Sequence, residues 1–188
     1  MMRRIRMRAA AAVVATGLLA AVVGAGVVGA EPTNPRAKAL YEYAQQRRAA
    51  APAAFAKTPN GRVPARVVFR SPVALERLNQ IAERQGVKME SFRLRVVMED
   101  GTVGTIGGVP DDQGRISRED IDRFVAAVQS KNPQALTVEG VFDATVEVDE
   151  AAYRHLEGQA DVFLVDVEPQ RPESARLYAG LEEAGIAH

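Results

Sequence analysis

From Leu136 to Val148 apolar and polar residues alternate. Leu136, Val138, Phe142, Ala144, Val146 and Val148 take the even positions, with Gly140 between them, and Thr137, Glu139, Asp143, Thr145 and Glu147 take odd ones. A period of two predicts one long strand with a dry face and a wet face. Asp149 is placed to cap a short helix running through Leu156. Val162–Val167 then predicts a second, almost wholly apolar strand. This strand–helix–strand unit, Leu136–Glu168, is the clearest pattern in the chain.

The same reading extends upstream. Val63, Ala65, Val67 and Phe69 alternate with Arg66, Val68 and Arg70, a first strand with Pro64 near its start. Ser71-Pro72 is expected to cap a helix that turns Leu75, Leu78 and Ile81 inward and ends at Gly86. Phe92, Leu94, Val96 and Met98 predict the dry face of a second strand. Glu99-Asp100-Gly101-Thr102 predicts a tight hairpin turn, since Asp-Gly readily supplies positive φ. Val103–Val109 returns as a third strand, which Gly104, Gly107 and Gly108 mark as an edge, a bulge or a close backbone approach. Ser117, with Asp120 three residues on, resembles a capping box. It opens a helix whose face is lined by Ile121, Phe124, Val125 and Val128. Glu173–Ala184 predicts a last helix with Leu177, Tyr178 and Leu181 on one side.

The resulting order is β-α-β-β-α-β-α-β and a tail helix. Its first six elements match the ferredoxin-like split βαβ order. The expected fold is therefore α+β: a ferredoxin-like βαββαβ-type open sheet with helices on one face, extended by a further α-β and a C-terminal helix. In the alternative, Arg93–Ser130 is an insertion and the first strand and helix pair directly with the 136–168 unit.

The ends read differently. Met1–Arg8 carries Arg3, Arg4, Arg6 and Arg8, and Ala9–Ala30 is uncharged and apolar, closing on Val28-Gly29-Ala30 before Glu31-Pro32. That is the three-part pattern of a secretory signal cleaved after Ala30. The apolar run also reaches the roughly 20 residues that span a bilayer, so an uncleaved anchor is the rival reading. Either places the domain outside the cytoplasm, secreted or held in the cell membrane, with membrane contact through residues 9–30. Asn34-Pro35 predicts the start of a helix carrying Leu40, Tyr41 and Ala44, with Arg47 and Arg48 near its end to suit the helix dipole. Ala49–Gly61 reads as linker. The expected organisation is a signal at 1–30, a poorly packed spacer at 31–61, a globular domain at 62–170 and a helical tail at 171–188.

Composition narrows the chemistry. The 188 residues contain no Cys and no Trp, and 24 basic residues balance 24 acidic ones. Without Cys there is no disulfide framework, thiol nucleophile or thiolate zinc site. Removing the four arginines of Met1–Ala30 leaves 20 bases against 24 acids, a net of −4. A mildly acidic domain argues against nucleic acid as partner.

Each candidate site has a plainer reading beside it. Asp111–Asp120 looks like the second half of a calcium-binding EF-hand loop, with Asp111 and Asp120 as ligands and Gln113 where Asp or Asn is usual. Val109, however, stands at the first ligand position. A polar turn feeding a capped helix explains the same residues. Glu139, Asp143 and Glu147 lie along one strand face, where spaced acids usually solvate the sheet but could bind a cation or a substrate. His155 is expected to face solvent, and His188 is terminal. Ser71 and Ser117 read as caps, not nucleophiles, and Gly104–Gly108 lacks the Lys-Ser/Thr of a phosphate loop. No catalytic, cofactor or metal residue is assigned.

Gly140-Val141-Phe142-Asp143-Ala144-Thr145-Val146, followed by Asp149-Glu150, Leu156 and Asp161-Val162-Phe163-Leu164-Val165-Asp166, resembles the C-terminal half of subtilisin propeptide-like inhibitor modules. Those have a Gly-Phe-type strand, a short helix opened by an acid and a closing Val-x-x-Val-acid strand. Val63–Gln85 is compatible with their first strand and helix. The resemblance covers about residues 136–168. It implies an α+β sandwich of ferredoxin-like type that binds protein through its sheet or tail. The chain departs from that family at Arg93–Ser130 and in its helical end, where the family presents an extended tail to a protease cleft.

The expectation is a non-enzymatic, exported or membrane-anchored domain that binds another extracytoplasmic protein. The alternatives are a secreted serine-protease inhibitor of propeptide type and an enzyme working through carboxylates alone.

Overall fold

The computed structural model describes residues 34–58, 61–130, 135–167 and 173–186, with the backbone alone for 173–176. The export segment expected over 1–30, and His188, lie outside the described residues. The elements are α1 (Pro35–Ala56), β1 (Val63–Val73), α2 (Leu75–Gln85), β2 (Lys88–Met98), β3 (Val103–Gly108), α3 (Arg118–Gln129), β4 (Leu136–Val148), α4 (Glu150–Glu157), β5 (Val162–Val167) and α5 (Glu173–Glu183). The fold is α+β, and its five strands form one antiparallel sheet in the order β3-β2-β4-β1-β5.

That order decides between the two sequence readings. β1 lies between β4 and β5, so the first strand pairs directly with the 136–168 unit. β3 is carried to the outer edge by its hairpin with β2. The addition is smaller than Arg93–Ser130, because all of β2 is integral: it pairs with β4 from Lys88 to Met98.

The sheet is covered on both faces, which corrects the expectation of helices on one face. The main core lies under α2, α3 and α4, where Leu78, Phe92, Val146 and Leu156 meet. On the opposite face Ala44 of α1 and Tyr178 and Leu181 of α5 pack on Val68, Phe142, Phe163 and Leu164. The strict alternation expected of β4 therefore breaks. Gly140 takes a φ of 148°, and the β2–β4 register shifts nearby. Val141 and Ala144 enter the main core, while Phe142 turns to the opposite face with Asp143. The face read as wet is a second core at that point.

The expected linker is also corrected. α1 continues to Ala56 through Pro52, and Ala37, Ala44, Ala51, Ala54 and Phe55 are buried along it. The first three recur every seven residues, nearly two helical turns, so they share one face. Alanine lets a helix approach a sheet closely and favours helix, yet it contributes little to a hydrophobic pattern. Asn34 caps the start by accepting from the Arg36 N–H at 2.9 Å. Among the described residues no helix is long and apolar enough to cross a membrane.

Other local expectations stand. Asp149 Oδ1 accepts from Ala152 N at 2.8 Å, Ser117 Oγ accepts from Asp120 N, and Tyr178 and Leu181 are buried. Ser71-Pro72 is not a cap: β1 runs to Val73, which pairs with Val141, and α2 starts after Ala74 with no side-chain cap.

Candidate functional site

A sheet has two edges, each a row of backbone donors and acceptors open to further pairing. Here the two are treated differently. Along β5, Glu157 Oε1 accepts from Val165 N at 2.5 Å, Arg48 donates to Phe163 O at 2.5 Å, and Arg47 donates to Val167 O at 3.1 Å. Arg48 and Glu157 also bind each other. The two arginines expected to serve the helix dipole instead seal the β5 edge from α1, and α4 supplies the carboxylate between them.

The β3 edge has no such cover among the described residues. Its hairpin fixes which groups face outward. Met98 N donates to Thr102 O at 2.9 Å and Gly101 sits at positive φ, a three-residue loop of the kind closed by a glycine bulge. Hydrogen-bonded pairs then alternate along the ladder, so Gly104, Ile106 and Gly108 bond to β2. The N–H and C=O groups of Val103, Thr105 and Gly107 point away from the sheet.

Beneath that edge, between β2, β3, the 109–117 loop and α3, lies a cleft of about 140 Å³. Its apolar lining includes Phe92, Leu94, Ile106, Ile116, Ile121 and Phe124. Gly108 shapes it: an added Cβ would lie 2.4 Å from Phe92 Cζ, so glycine lets the ring lie against the strand. Of the four apolar residues expected to bury the face of α3, only Ile121 is buried. Phe124 is 48 % exposed at the rim, and Val109 opposite is 75 % exposed. Val125 and Val128 are half-buried, and Val125 packs against the main core.

The sequence motif at 111–120 forms the cleft's other wall. Asp111 Oδ1 accepts from Gln113 N and Arg115 N at 2.9 and 2.8 Å, and Asp120 pairs with Arg123 at 2.9 Å. Both carboxylates serve their own turn and helix. Among the described residues no group of three or more acids or histidines could hold a metal.

Glu139, Asp143 and Glu147 each meet a cation on β2. Arg93 grips Asp143 with two nitrogens, Arg95 binds Glu139, and Lys88 lies 3.3 Å from Glu147. The row is a cross-strand ladder of opposite charges, so the acids do not converge on one another. His155 is exposed, with Nε2 2.9 Å from the Gln159 side-chain nitrogen.

The opposite face holds a group the hydrophobic pattern did not reveal. Asp166, 6 % exposed, is bound by Arg47 at 2.6 Å and by the Tyr43 hydroxyl at 3.4 Å. Burial pushes its carboxyl above the usual range, with Arg47 opposing. A raised folded-state pKa means the folded chain holds the proton longer than the unfolded chain, so stability falls as pH rises through that interval. Asp166→Asn removes the ionisation. In urea titrations the wild type should lose stability as pH rises above about 4, and Asp166→Asn should not show that loss. Parallel curves for the two proteins would contradict this.

No family model, no curated protein and no solved structure matches the chain, so the reading of the site rests on its geometry.

Proposed function

We propose that this chain is an exported or membrane-anchored, non-enzymatic domain that binds another extracytoplasmic protein. The single observation that carries the reading is the contrast between the two sheet edges: β5 is closed by Arg47, Arg48 and Glu157, while β3 lies open beside an apolar cleft. Exposed strand edges tend to be covered or blunted, and an open one serves as a template for pairing. An apolar cleft with an exposed aromatic rim is the usual anchor for a partner side chain. Export is supported by the basic head, the apolar run and the Val28-Gly29-Ala30 sequence.

We assign the finer fold as ferredoxin-like. The strands β2-β4-β1-β5, joined through α2 and α4, supply its antiparallel order, and β3 with α3 is an edge addition. The same four strands favour a second reading, inhibition in trans of a subtilisin-class protease. The packed α5 replaces the extended tail that this mode would use.

Mass spectrometry of the protein from its host, joined to affinity capture, tests the first reading. The expected result is a mature N-terminus at Glu31 or an intact membrane-bound chain, and a captured protein lost in Phe124→Asp. A cytoplasmic full-length chain, or capture indifferent to Phe124→Asp, would contradict it. Inhibition of a subtilisin-class protease at micromolar concentration would favour the second reading.

A further inference from the structure

We infer that the β3 edge takes an extended, basic segment of a partner protein, which adds to the sheet as a sixth strand; this rests on the protein-binding reading above. Three independent features specify that occupant. The first is the row of outward backbone groups at Val103, Thr105 and Gly107, fixed by the hairpin register. Main-chain bonding of this kind selects an extended chain and not a helix. The second is the cleft on one side of that edge. An added strand presents alternate side chains to each face, so every second residue of the partner falls towards Ile106, Ile121 and Phe124. Those positions select apolar side chains.

The third is charge. Residues 99–123 contain seven acids and three arginines, a net of −4. The arginines already pair with nearby acids: Arg115 with Glu83, Arg118 with Glu76, and Arg123 with Glu119 and Asp120. Asp111 and Asp120 line the cleft itself. The field along the edge is negative, which favours lysine or arginine at the partner's remaining positions. The same field disfavours a second copy of this chain, because joining two β3 edges would oppose two acidic surrounds.

The test uses the protein as purified from its host and an eight-residue peptide in which lysine alternates with valine or leucine. Its controls are the glutamate analogue and a lysine peptide N-methylated along one backbone edge. The lysine peptide should bind, weaken as salt is raised, and slow amide exchange at Val103, Thr105 and Gly107. The glutamate and N-methylated peptides should bind at least about tenfold more weakly. Thr105→Pro, which removes an outward N–H without breaking a β2 bond, should weaken the lysine peptide similarly. Equal binding of either control, protection confined to other residues, or no binding overturns the inference. Self-association through β3 overturns it as well. Loss of host-protein capture in Phe124→Asp without peptide binding overturns the strand mode and leaves the protein-binding reading standing. Capture unaffected by Phe124→Asp overturns both.

Discussion

Replacing Gly140 with alanine should destabilise the protein by about 3 kcal/mol or more. Two effects add at this position. Gly140 has a φ of 148°, in a region that L side chains rarely adopt. A Cβ built there would also lie 2.6 Å from Val73 O and 3.1 Å from Pro72 Cβ. The nearer atom belongs to the backbone of β1, which is held by the Val73–Val141 pairing, so it cannot swing aside as a side-chain tip would. Relief requires opening the central β1–β4 pair, and with it the turn that sends Phe142 to the second core. Gly107→Ala is the matched control. It lies in a strand with nothing within 4 Å of the added Cβ, and should change stability by no more than about 0.5 kcal/mol. Urea denaturation of the two variants measures the difference. Equal stabilities would show that Gly140 imposes no bend on β4.

The second large effect is expected at Arg93. Its guanidinium holds both oxygens of Asp143, whose side chain is 3 % exposed, and lies over the Phe142 ring at 5.1 Å from the centroid. Arg93→Met leaves that carboxylate buried without its cation, which typically costs about 3–5 kcal/mol. Adding Asp143→Leu removes the stranded charge and should restore much of the loss, because a buried ion pair often contributes little beyond an apolar pair of similar size. Recovery should be incomplete, since the cation–π contact, worth about 0.5–2 kcal/mol, is not replaced. A double variant as unstable as Arg93→Met would assign the loss to packing and not to the unpaired acid.

These two positions also show where the sequence was legible. Leu75, Leu78 and Ile81, the Asp100-Gly101 turn and the Asp149 cap were readable because each is a local rule acting over a few residues. The parity of β4 was readable on both sides of its glycine but not across it. Past it Val141 turns into the main core and Phe142 out of it, and the expected parity resumes at Ala144, Val146 and Val148; nothing in the alternation announces the irregularity except Gly140 itself. The second core was hidden because residues 31–61 read as a spacer, although Leu40, Tyr41 and Ala44 of its helix pack there, and because Asp143 reads as solvent-facing. Its cation partner is Arg93, fifty residues away in sequence. The site was half visible. The glycines of β3 pointed to an edge, and the apolar stripe of α3 was legible. The exposure of Phe124, and the sealing of β5 by Arg47, Arg48 and Glu157, depend on tertiary placement that no local pattern encodes.

The proposed working surface is the β3 edge with its cleft. Site-specific photo-crosslinking in the native host tests it most directly, with the reactive side chain placed at position 105 on β3 or at position 150, exposed on α4. A discrete protein adduct is expected from position 105, abolished by Phe124→Asp, and none from position 150. Adducts from position 150 alone, or the same adducts from both positions, would contradict it.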